Sequence, residues 1–145
     1  MKIEYAVAAA VFVVAGGAGC SSGPEPAGPQ QGLKPGTAQL SVNGAVVGGS
    51  EAVQCVPAED TTAIVIGGEP PVAAATIAYN RGAEVKWVKL HAVNGFTGSF
   101  NQGLDGEANV ELIGSTYQIT GVARGFDQND ARRPVAAKFA IEVSC

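Results

Sequence analysis

Three cysteines, Cys20, Cys55 and Cys145, offer the most definite chemistry in this sequence. A cysteine thiol can be acylated, can form a disulfide with a second thiol, or can bind a metal as the thiolate. Cys20 differs from the other two in what precedes it. A basic residue, Lys2, is followed by an apolar stretch over residues 6–15 and then by four small residues that lead directly to Cys20. A basic start, an apolar middle and a small-residue cleavage site are the parts of a secretory signal peptide.

We therefore predict a lipoprotein signal peptide over residues 1–19 and a mature chain that begins at a lipid-modified Cys20. The apolar stretch is shorter than the roughly 20 residues of a membrane-spanning helix, so palmitate-like acyl chains would provide the anchor. Gly17 stands where lipoprotein signals usually have Leu or another branched residue. An ordinary secretory signal that contains a cysteine, and an anchor that is not cleaved, therefore stay open as alternatives.

The segment after Cys20 is rich in Pro, Gly, Ser and Gln and has almost no apolar side chains. Such a composition buries too little apolar surface to offset its ordering entropy, so we predict a disordered tether over residues 20–36. At about 3 Å per extended residue the tether could hold a domain up to roughly 50 Å from a membrane. Residues 37–145 then form one domain, placed by the lipid at the extracytoplasmic face of the cell membrane or further out in the envelope.

Cys55 and Cys145 are the remaining pair if Cys20 is acylated. In an exported chain two leftover cysteines are most simply joined as a disulfide. Two free thiols or a metal pair are the alternatives. His91 is the only other strong candidate for a soft-metal ligand, whereas a structural zinc site takes four ligands. We therefore expect no metal and no cofactor.

Charge and composition argue against binding to nucleic acid. The net charge is −4, and the only adjacent basic pair, Arg132-Arg133, lies in a polar segment beside Asp127 and Asp130. Nucleic-acid binding rests on clustered Lys and Arg that neutralise phosphates, so we predict a solvated loop at this pair.

The sequence also offers little for catalysis, which requires a nucleophile, a base and a charge-stabilising group within reach of one another. The only histidine, His91, has no Ser or Cys motif nearby. Asp127, Asp130 and Glu142 could act as paired carboxylates only if the fold joined them. We predict that the protein is not an enzyme.

The domain has the residue alternation of β-strands. Apolar and polar residues alternate over residues 136–145, and this parity places Phe139 and Cys145 on the inner face. Residues 107–112 and 117–121 alternate on either side of Gly114-Ser115 and predict a hairpin. Further strands are predicted at 38–43, 51–56, 62–66, 72–79 and 84–93, with turns at Asn43-Gly44 and Asn94-Gly95 and a β-bulge within 85–90. A short helix through residues 73–75 is the alternative to part of the fourth of these strands. We predict an all-β domain, either an antiparallel β-sandwich or a small β-barrel-like fold.

Aromatic residues give a second functional hypothesis. Sandwiches and small barrels can hold an apolar ligand between their layers. The second hypothesis is therefore a lipid or glycolipid cavity lined by Tyr79, Trp87, Phe96 and Tyr117, with ordinary core packing as the alternative.

The chain resembles the mycobacterial nineteen-kilodalton lipoprotein antigen family. The resemblance covers the start in outline and most of the chain from Cys55 onward, and its specific segments are 64–68, 84–86, 93–95, 117–121, 125–127 and 139–145. It implies an acylated antigen of the cell envelope that host innate receptors sense through its lipidated N-terminus, with Cys20 as the lipidated residue and Cys55 with Cys145 as the cysteine pair. Family tethers resemble Thr- and Ser-rich glycosylated stalks, whereas this tether offers only Ser21, Ser22 and Thr37.

Overall fold

The computed structural model describes residues 32–145. The predicted signal peptide, Cys20 and residues 20–31 of the predicted tether lie outside the described residues. Within 32–145 all regular secondary structure is β-strand. No helix in this range is long and apolar enough to cross a membrane.

Ten strands form one antiparallel sheet. In chain order they are β1 (Ala38–Val42), β2 (Ala45–Ser50), β3 (Val53–Ala58), β4 (Thr61–Ile66), β5 (Ala73–Ala78), β6 (Glu84–Val93), β7 (Phe96–Asn101), β8 (Ala108–Ile113), β9 (Thr116–Asp127) and β10 (Asp130–Ser144). The spatial order is β2-β1-β10-β9-β7-β6-β5-β4-β3, with β8 paired to β9 beside this path.

Two long strands fold the sheet over on itself. β9 and β10 are 12 and 15 residues long and pair with each other along most of their length. On its other side β9 pairs with β8 through residues 116–121 and with β7 through residues 124–127. The sheet therefore changes neighbours in the middle of one strand and nearly closes into a barrel-like shape, which confirms the all-β prediction.

The core lies between the facing surfaces of this folded sheet. Alternate residues of each inner strand are buried, as in β4, where Thr62, Ile64 and Ile66 point inward. Completely burying an Ile or Val side chain stabilises a fold by about 1.5–3 kcal/mol. The other large, fully buried apolar side chains are Val42, Ile77, Val88, Val93, Ile119, Ile141 and Val143.

Several local predictions are confirmed. Asn43 and Asn94 have φ of 51° and 48°, and the glycines that follow them have φ of 81° and 79°, so both predicted turns are present. The predicted hairpin joins β8 to β9. Opposite β5, Val85 pairs with Ile77 and Trp87 pairs with Thr76, which leaves Lys86 as the extra residue of the predicted β-bulge.

Other predictions are wrong or incomplete. The strand predicted at 72–79 is confirmed as β5, and only its helical alternative through residues 73–75 is wrong, because Ala73 and Ala75 alternate inward within a continuous ladder to β4 and β6. Cys145 follows the last residue of β10 and is exposed, while its side chain is bonded to Cys55, which packs against the core. Arg132 and Arg133 are exposed as predicted, but they lie in the first part of β10 and not in a loop. Strands β2 and β7 were not predicted.

Candidate functional site

A disulfide between Cys55 and Cys145 joins distant parts of the sheet, with 5.9 Å between the two Cα atoms. Cys55 lies in β3, the last strand at one end of the sheet order, and packs against the core. Cys145 directly follows β10, which lies near the other end of the order. The bond therefore ties an edge strand to the opposite part of the folded sheet.

Two tyrosines meet beside this disulfide. The Tyr79 and Tyr117 hydroxyl oxygens are 2.7 Å apart, and the Tyr79 hydroxyl also donates to Oγ1 of Thr62 at 3.1 Å. Tyr117, Thr62 and the two cysteines line a cleft of about 300 Å³. Burial is the main cause that raises the pKa of Tyr117, and the hydrogen bond with Tyr79 raises it further. The tyrosine pair therefore lies beside the cleft that the disulfide lines.

The other two aromatic residues of the predicted cavity lie elsewhere. Phe96 is only 3% exposed and is part of the core. Trp87 is half-buried on the outer face of β6, where the Lys89 ammonium lies 5.5 Å from the centre of its ring. The structure thus brings together Tyr79 and Tyr117 but not all four residues, and the predicted lining is not one cavity.

A groove of about 540 Å³ crosses the outer face of β5, β6, β7 and β9. Pro70 and Pro71 form one wall and Phe126 lies at the opposite side. This outer groove is also lined by a polar set consisting of Lys89, His91, Thr97, Ser99 and Arg124. This groove was not predicted from the sequence. The alternation of Trp87, Lys89 and His91 marks an outer face, but only the strand register shows which residues of β7 and β9 lie beside it.

The candidate catalytic residues do not form an acid–base centre. Asp127 and Asp130 are cross-strand neighbours, but an Asp127 oxygen accepts from the Asn129 backbone N–H at 2.8 Å and Asp130 lies 3.7 Å from Arg133. Glu142 lies near the other end of β10, where it pairs with Gln39 of β1 and Gln118 of β9. Among residues 32–145 there is no group of three or more His, Cys, Asp or Glu that could hold a metal ion.

The fold and the cross-link define a small, disulfide-closed, all-β domain. The model of the Mycobacterium 19 kDa lipoprotein antigen family matches residues 31–145, and the chain belongs to this family. It is 35% identical to Lipoprotein LpqH of Mycobacterium tuberculosis (strain ATCC 25618 / H37Rv) over 99% of this chain and 97% of that protein. It is 38% identical to Lipoprotein LpqH of Mycobacterium avium over 66% of this chain and 60% of that protein. Membership in a lipoprotein family implies association with a membrane.

Proposed function

We propose that the protein is a non-enzymatic, acylated antigen of the cell envelope, attached to the outer face of the membrane through lipid on Cys20. The observation that carries this proposal is the family match over residues 31–145 together with the order of charge, apolar stretch and small residues before Cys20. Each buried methylene of an acyl chain contributes about 0.8 kcal/mol, so two or more chains would anchor the domain stably.

The same proposal assigns the sensing by host innate receptors to the lipidated N-terminus and not to the β-domain. Attachment by acyl chains leaves the domain free to fold by itself, and its described residues form one continuous core. The Cys55–Cys145 disulfide would then protect a domain that works outside the cytoplasm, where disulfides persist.

A single substitution tests the anchor. Cys20→Ser should move the protein from the membrane pellet to the soluble fraction and abolish acyl-dependent stimulation of receptor-bearing reporter cells. Ser21→Ala, which changes the neighbouring residue and keeps the thiol, is the matched control and should leave both readouts unchanged. Unaltered membrane partition of the Cys20→Ser protein would refute the anchor.

The second hypothesis, a lipid-binding domain, is supported by a different feature from the one predicted. The four aromatic residues do not line one cavity, but the outer groove combines apolar walls with two cationic side chains.

A further inference from the structure

We propose that the outer groove binds a single-chain anionic lipid. Its anionic head would be held by Lys89, Ser99 and Arg124, and its hydrocarbon chain would lie against Pro70 and Phe126. This inference is independent of acylation at Cys20, because it concerns residues 70–126 of the β-domain and a separate lipid molecule.

The polar end of the groove is set by strand register. Ser99 of β7 is paired with Lys89 of β6 on one side and with Arg124 of β9 on the other. Neighbouring strands lie about 4.8 Å apart, so the backbones of Lys89 and Arg124 are separated by roughly 10 Å with a hydroxyl between them. An ammonium, a hydroxyl and a guanidinium in one row can all donate to a phosphate or carboxylate.

The charges in this row remain available to a ligand. Arg124 Nε lies 3.4 Å from an Asp105 oxygen, but a guanidinium has five N–H donors and this contact leaves others free. In the described part of the chain Lys89 forms no ion pair, and its ammonium rests over the ring of Trp87. Lys89, Arg124 and Asp105 together carry a charge of about +1 on a chain whose net charge is −4. The row therefore has a local positive charge that attracts an anion.

The remainder of the groove favours hydrocarbon. Phe126 is 41% exposed, and its cross-strand neighbour Thr97 has a small side chain that leaves room beside the ring. Pro70 and Pro71 form the other wall. The volume of about 540 Å³ falls within the range of roughly 300–1,000 Å³ that is typical of small-molecule sites. A free phosphate would leave these apolar walls unused.

The backbone argues against a peptide as the ligand. β6 is paired with β5 and β7, and β7 is paired with β6 and β9, so the strands beneath the groove have partners on both sides. A peptide that adds to a sheet needs an unpaired strand edge to supply main-chain hydrogen bonds. The floor of the groove has no such edge, whereas a lipid needs only the polar row and the apolar walls.

Binding can be measured on the full chain carrying Cys20→Ser, which excludes competition by the protein's own acyl chains. The probes are monomeric oleoyl lysophosphatidic acid, uncharged monooleoylglycerol and inorganic phosphate. We expect calorimetric binding of the lysophosphatidic acid, at least about tenfold tighter than of either other probe because only it satisfies both ends of the groove. Trp87 is the only Trp in the chain, so its fluorescence should change when Lys89 turns toward the anion.

Variants locate the site. Lys89→Gln with Arg124→Gln should weaken lysophosphatidic acid binding about tenfold, because two charge-assisted contacts are lost. Arg132→Gln with Arg133→Gln removes the same charge from exposed positions of β10 and should leave the calorimetric affinity unchanged. Phe126→Ser should weaken binding about fivefold through lost apolar contact, and should leave its salt dependence as it was. All these positions are on the surface, and unchanged thermal unfolding will verify the fold.

Three results would overturn the proposal: no binding of lysophosphatidic acid, equal binding of the uncharged lipid, or equal weakening by the Arg132/Arg133 control. Displacement of the lipid by a polyglutamate peptide of similar affinity would also overturn it and assign the groove to an acidic polypeptide. None of these outcomes depends on whether Cys20 is acylated in the cell, so the two proposals can fail separately.

Discussion

Replacing Cys55 and Cys145 together by Ala should cost a large part of the stability of the domain. The two residues are 90 positions apart, and opening a cross-linked loop of this size increases the entropy of the unfolded chain. The chain-entropy relation gives about 4.6 kcal/mol at 25 °C for such a loop. Globular domains are typically stable by only about 5–15 kcal/mol, so the loss would be at least about a third of the total.

The position of the bond predicts where the loss appears first. β3 is paired on one side only, to β4, and the disulfide is its covalent link to the far part of the sheet. Without that link the β3 edge is held by one ladder and by its partial contact with the core. Amide hydrogens of β3 and β4 should therefore lose exchange protection more than those of β9 and β10.

Denaturant unfolding followed by Trp87 fluorescence measures the effect. The comparison must use free energies of unfolding and not midpoints, because an uncrosslinked unfolded chain exposes more surface and raises the m-value. The wild-type protein under reducing conditions should match the Cys55→Ala/Cys145→Ala variant. Cys20→Ala is the matched control and should not change the stability. A loss below about 1 kcal/mol, or insensitivity of the wild type to reductant, would refute the reasoning.

Two further predictions concern close contacts within the sheet. A Cβ atom at Gly125 would collide with the Thr97 carbonyl oxygen, so Gly125→Ala should lower the free energy of unfolding by about 2–3 kcal/mol. Gly68→Ala is the control, because a Cβ atom there has nothing within 4 Å, and it should change the free energy of unfolding by less than about 0.5 kcal/mol. Equal effects of the two variants on thermal unfolding would contradict this prediction. Because the pKa of Tyr117 is raised in the folded state, its contribution to stability is complete below about pH 10, the ordinary tyrosine value, and is lost as pH rises through the folded pKa. Tyr117→Phe should therefore reduce the loss of stability at alkaline pH, and an unchanged pH profile of the free energy of unfolding would exclude this contribution. Comparing the absorbance titration of the wild-type protein with that of the Tyr79→Phe variant separates the signals of the two phenols.

The strands whose residues alternate regularly could be predicted from the sequence. In β10, Phe139, Ile141 and Val143 are buried as the alternation indicates. β2 was missed because Val46 and Val47 are consecutive and both are exposed, so they give no period of two.

The sites were harder to predict because they depend on pairing between strands that are distant in sequence. Tyr79 and Tyr117 lie 38 residues apart and meet only because the sheet folds over on itself. Lys89 and Arg124 belong to strands that are not neighbours, and β7, which was not predicted, places Ser99 between them. Trp87 was assigned to a cavity on residue type alone, but the bulge at Lys86 shifts the parity and turns it outward.

The intact mass of the protein extracted from the cell envelope tests the central claim most directly. We predict the mass of residues 20–145 plus acyl chains, with the added mass located on Cys20 by fragmentation and a shift of two hydrogens on reduction of the Cys55–Cys145 disulfide. A mass equal to the unmodified 20–145 chain, or one that still includes residues 1–19, would contradict the account.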